Sequence, residues 1–214
     1  MKKVILFGDS IRLGYERYVQ ASLDGVAEVY FPKDTCAFSQ YMLRWVNEWK
    51  RREGYPDDID LIHWNVGLWD VLRIMDDDTF TTPDYYAETL KRLEKRLRLL
   101  FPKAKLVFAT STSVIEEDYR PPYQRYNADI KAFNKIAIET LSPLGVAIND
   151  LYPLTESADA ACRSDMTHYY TPEGIKLIGT QVVKAICKNL DVPLSEVKDV
   201  EALVPTLSQE IIGK

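Results

Sequence analysis

Five short apolar runs, at residues 3–7, 27–31, 60–65, 105–110 and 146–149, alternate with longer segments in which apolar side chains recur every three or four positions. This alternation leaves the chain few options. Strands that are almost continuously apolar have to be covered on both faces, and strand–helix–strand order delivers a parallel sheet between two helical layers. Helices are predicted near residues 13–23, 40–52, 83–100, 126–141 and 172–190. Thr171-Pro172 suits an N-cap followed by proline at the first helical position. The expected fold is α/β, a three-layer α/β/α arrangement around a doubly wound, five-stranded parallel sheet.

With 214 residues, 46% of them hydrophobic, the chain can build one well-cored domain. In the segment 86–100, Leu90, Leu93, Leu97 and Leu100 repeat at helical spacing while Lys and Arg fill the other face, which marks a covering helix rather than a basic stripe. Lys and Arg total 27 against 32 Asp and Glu, a net charge of −5, and no long basic run occurs, so nucleic acid is not an expected partner. Met1-Lys2-Lys3 precedes an apolar run of only four residues, too short for a signal sequence, and no stretch has the length of a membrane span. Cys36, Cys162 and Cys187 are odd in number and widely spaced, which fits reduced thiols and a cytoplasmic protein without membrane contact. Residues 191–214 carry two prolines and scattered apolar side chains. They form a C-terminal extension that packs on the domain or mediates self-association, leaving a homodimer open.

A doubly wound sheet binds its ligands beyond the carboxyl ends of the strands. Ser10, the turn at 35–37 and the loops at 65–70, 111–123 and 165–168 should all meet on that edge. Ser10 follows the first strand in Gly8-Asp9-Ser10, where its own N–H would sit at a helix N-terminus and favour an oxyanion. Taken alone, Asp9 and Ser10 are ordinary capping residues. Asp165-Met166-Thr167-His168 changes the balance: Asp165 three residues before His168 supplies a base and the group that orients it, so that Ser10 becomes a nucleophile. The only other histidine, His63, falls inside the third strand and is expected to be a buried side chain. Asp76-Asp77-Asp78 lacks the spaced ligands and glycine of a calcium loop, no Gly-rich phosphate cradle follows any strand, and neither a metal nor an organic cofactor is expected.

These blocks resemble the SGNH hydrolases, the GDSL-type esterases and lipases, in Gly8-Asp9-Ser10, in Asp165-Met166-Thr167-His168 and in the five-strand order, over residues 3 to 190. The resemblance implies a hydrolase domain at 1–190 with a flavodoxin-like sheet, a Ser10–His168–Asp165 triad, an acyl-enzyme and an oxyanion hole supplied by two inner blocks. The inner blocks depart from the family pattern. Residues 65–70 read Asn65-Val66-Gly67-Leu68-Trp69-Asp70, with Trp69 where the family has its asparagine, so Asn65 is expected to donate from a shifted register. After the second strand, Pro32 to Ala37 lacks the usual glycine. Cys36 or Ala37 can offer the backbone N–H instead, and its place in the turn favours Cys36. Together with Ser10, these complete the expected oxyanion donors. Asp9, Gly67, Trp69 and Tyr169 are the expected substrate contacts, and the small-molecule substrate implied is a short acyl ester, such as an acetyl group on a carbohydrate. A thioesterase or lysophospholipase of the same family, or a non-catalytic binding module on this fold, are the alternatives.

Overall fold

A computed structural model describes residues 1–194. Strand β1 (Lys2–Phe7) leads into helix α1 (Ser10–Ser22), followed by β2 (Ala27–Tyr30), α2 (Ser39–Glu53) and β3 (Leu61–Trp64). A short β4 (Arg73–Ile74) comes before α3 (Pro83–Leu100), β5 (Lys105–Ala109), β6 (Tyr123–Gln124) and α4 (Asn127–Leu141). The chain then forms β7 (Ala147–Asn149), α5 (Tyr152–Glu156) and the long α6 (Pro172–Leu190). All five expected strands form one parallel sheet in the order β2-β1-β3-β5-β7. Helices α1 and α6 pack together, and α2, α3 and α4 pack in sequence, giving the two covering layers. The expected extension beyond residue 194 lies outside the described residues.

The sheet is the core. Val4, Ile5, Leu6 and Phe7 are fully buried, as are Leu61, Ile62 and Trp64 beside them. Each such large apolar side chain contributes about 1.5–3 kcal/mol on leaving water. Leu90, Leu93 and Leu97 of α3 are also fully buried, as their spacing predicts, whereas Leu100 is only partly covered at the helix end. Helix starts follow local chemistry. Asp9 Oδ1 accepts the Ile11 N–H at 3.0 Å at the head of α1, and Thr171 Oγ1 accepts from Gly174 at the head of α6.

Two features escaped the sequence pattern. β4 and β6 pair as a separate antiparallel ribbon, Arg73 opposite Gln124 and Ile74 opposite Tyr123. Helix α5 is only five residues long. Among the described residues, no helix is long and apolar enough to cross a membrane, and no three His, Cys, Asp or Glu side chains converge as metal ligands.

Candidate active site

Ser10 opens α1 directly after β1, so the strand's carboxyl end delivers it to the ligand-binding edge. Gly8 permits this tight entry: a β-carbon there would lie 2.2 Å from Asn65 Oδ1 and 2.7 Å from Arg12 Cβ. As the first residue of the helix, Ser10 has one of the N–H groups that the helix cannot satisfy internally.

His168 reaches Ser10 from the loop before α6. Its Nε2 lies 2.8 Å from Ser10 Oγ, and its Nδ1 lies 2.8 Å from Asp165 Oδ2. Asp165 Oδ1 also accepts the N–H groups of Thr167 and His168 at 2.7 and 2.8 Å, which fixes the carboxylate within a three-residue turn. Burial raises the proton affinity of Asp165, but the His168 ring and the two backbone donors outweigh it and the pKa is lowered. Asp165 therefore stays an anion that orients the imidazole. The ring of Tyr170 stacks on His168 at 4.7 Å between centroids, and its hydroxyl donates to Ser10 O at 2.5 Å. Burial raises the Tyr170 pKa, keeping the phenol a donor. The structure thus brings Ser10, His168 and Asp165 together in an order suited to proton transfer away from Ser10.

The opposite wall is made by the segments 32–39 and 65–70. Gly8 and Cys36 are bound to each other twice, Gly8 N–H to Cys36 Sγ at 3.1 Å and Cys36 N–H to Gly8 O at 2.8 Å. This corrects the expectation that the Cys36 amide serves as an oxyanion donor, because that N–H already has its acceptor. The next amide, Ala37, donates to nothing among the described residues, and Ala37 has φ +43, the left-handed conformation in which a glycine is usual. The Cys36 thiol is fully buried and pushed up to about 12 by burial, which leaves no thiolate to compete with Ser10.

Asn65 follows β3 directly, with its side chain against Gly8 and beside Asp9, where it lowers a carboxyl pKa that burial raises. Its Oδ1 has no hydrogen-bond partner among the described residues. Gly67 has φ +148 and packs so closely that a β-carbon would lie 2.4 Å from Ser111 Oγ. Trp69, by contrast, is 40% exposed. Two expected substrate contacts are corrected. Asp9 is fully buried as the helix cap, and Tyr169 is buried with its hydroxyl on Ser113, so neither surface is open to a ligand. Tyr119 is likewise interior, whereas Tyr123 on the β4–β6 ribbon is 52% exposed. His63 is the buried strand residue its position suggested: Nε2 faces Asn149 Nδ2 at 3.1 Å, and burial lowers its pKa to about 3.

Several contributors carried no sequence signal. Arg125, buried between two loops, donates to Leu68 O at 2.6 Å and to Tyr119 OH at 3.0 Å, and Tyr119 OH in turn meets Thr167 Oγ1 at 2.6 Å. This links the 65–70 loop to the turn that holds His168. Asp70 is fully buried and accepts from the Ser39 N–H at 3.0 Å, Ser39 Oγ at 2.6 Å and Thr81 Oγ1 at 2.8 Å.

No family model matches the chain, and no curated protein matches it significantly. Solved structures do. A lipase/acylhydrolase from Enterococcus faecalis superposes with a TM-score of 0.68 and 20% identity, over 92% of this chain and 100% of that one. A GDSL-like lipase from Bacteroides thetaiotaomicron gives 0.67 and 16%, over 87% and 88% of the two chains. A carbohydrate esterase family 3 protein from Talaromyces cellulolyticus gives 0.67 and 16%, over 90% and 100%. At these identities the likeness is one of architecture, and the chain has the α/β fold of the GDSL-like lipases and acylhydrolases.

Proposed function

We propose that the protein is a serine esterase that hydrolyses a short-chain carboxylic ester. The observation that carries this reading is the unbroken line from Asp165 through His168 to Ser10, with a contact of 2.8 Å at each step. His168 Nε2 takes the Ser10 proton as Oγ bonds to the ester carbonyl carbon. The resulting oxyanion is held by the N–H groups of Ser10 and Ala37 and by the Asn65 amide. When the carbonyl re-forms, the C–O bond to the alcohol breaks and the alcohol leaves with the proton from His168. Water, deprotonated by His168, then attacks the acyl-enzyme, and the acid is released with Ser10 restored.

Acetyl groups on a carbohydrate are the substrate class we favour. The exposed faces of Trp69 and Tyr123 can stack on a sugar ring, and one structural neighbour is named a carbohydrate esterase. Three separate buried thiols support a cytoplasmic setting. The test combines turnover of p-nitrophenyl acetate with fluorophosphonate labelling. The wild type should hydrolyse the ester and carry the label on Ser10, and Ser10→Ala should do neither. A wild type inert in both assays points to a binding module instead.

A further inference from the structure

Arg12 is fully buried two positions after Ser10, yet its hydrogen bonds run away from Ser10 and His168. Nη1 donates to Pro32 O at 3.0 Å, Nη2 donates to Asp34 O at 2.6 Å, and Glu16 supplies the counter-charge. Its Nε has no acceptor among the described residues. Desolvating a guanidinium is unfavourable, and a well-packed apolar side chain of similar volume often serves stability as well or better. What the guanidinium adds is geometry, because its planar fork holds two carbonyls of one loop in a fixed relation.

That loop is held again further along. Cys36 is bound twice to Gly8, and Asp70 grips Ser39 by both its N–H and its hydroxyl. Ala37 lies between these fastenings at φ +43, and its amide donates to nothing among the described residues. A left-handed alanine is disfavoured and persists only where its surroundings over-determine it. A side chain cannot supply a backbone N–H to a reaction, but it can fix the peptide planes that decide where one points.

We propose that Arg12 is a positioning residue that aims the Ala37 amide at the oxyanion, with Asp70 fastening the far end of the same loop. The proposal rests on the esterase reading above and adds to it a residue that never touches substrate. Arg12→Met removes the fork while keeping an apolar stem about as long as the aliphatic part of the arginine. Arg12→Lys keeps the charge beside Glu16 but cannot bridge both carbonyls in one plane.

The measurements use the full-length protein: kcat and KM for p-nitrophenyl acetate per fluorophosphonate-titrated site, affinity for a short-chain trifluoromethyl ketone, and the melting transition. The ketone forms a reversible tetrahedral adduct whose oxygen occupies the oxyanion position. Arg12→Met should lower kcat about 10- to 100-fold, the scale expected from a displaced catalytic group. KM should change less than about threefold, and ketone affinity should fall in step with kcat/KM. Arg12→Lys should fall between wild type and Arg12→Met on both axes. If Arg12→Met does not fold, Arg12→Lys and the isosteric Asp70→Asn decide the matter by the same correlation. An unchanged kcat per labelled site, or a loss of turnover that leaves ketone affinity intact, overturns the proposal while the esterase reading stands. A wild type that neither turns over the ester nor binds the ketone overturns both.

Discussion

On one side of the Ser10 hydroxyl, two side chains meet it in line, His168 at 2.8 Å and Asp165 a further 2.8 Å behind. On the other, the proposed donor is main chain, in the segment from 32 to 39 that Arg12 and Asp70 hold by hydrogen bonds. The first wall depends on what residues are; the second depends on how they are held. A substitution in the first wall removes a chemical group outright. One in the second leaves every reacting group present and moves it.

The sharpest way to break this comparison is to remove the base. His168→Ala should lower turnover on the order of 10⁴-fold or more, and Ser10→Ala/His168→Ala should be no worse than the poorer single variant, because the two act as a unit. Steady-state rates on p-nitrophenyl acetate report both, and additive losses would dissolve the unit. Next in size is Asn65→Ala, expected to lower kcat by ~10²–10³ with little change in KM, as the loss of one oxyanion donor does. Undiminished turnover would leave the second wall with backbone donors only.

The smallest effect separates the two histidines. His63 has its pKa lowered to about 3 by burial, so the unfolded chain binds a proton there that the folded protein refuses. Its contribution to stability is complete above about pH 6.5 and is lost as the pH falls from there toward 3. The slope from this one group is at most about 1.4 kcal/mol per pH unit. His63→Gln keeps an acceptor for Asn149 and does not titrate. Urea unfolding across this range should give a shallower acid slope for the variant, while its turnover at neutral pH stays near that of the wild type. Parallel slopes would show that His63 is not the group responsible.

The same contrast explains what could be read in advance. The five strands and the long helices were legible because burial on both faces leaves near-continuous apolar runs, such as residues 4–7. The β4–β6 ribbon was not, since two residues per strand are too few to show an alternation. Ser10, Asp165 and His168 stood out through residue type and spacing. Asp9 and Tyr169 sit on the expected edge but face inward, a distinction that loop position alone does not carry. The Ala37 amide left no trace, because every residue but proline has one and nothing in an alanine announces a φ of +43. Arg12 carried no signal of its own. Its role lies in carbonyls 20 and 22 residues away, which no local pattern connects to it.

Ser10 and His168 are 158 residues apart, and the helices that follow them, α1 and α6, are packed against each other. On the proposed mechanism this sets an order of events during synthesis. A growing chain carries its serine 158 residues before its base, which arrives only when the segment before α6 emerges and docks. Until then the hydroxyl has no partner to accept its proton. A chain that lacks the 165–168 segment would therefore be chemically silent, and acylation could begin only once the strands of the sheet had been laid down around β1.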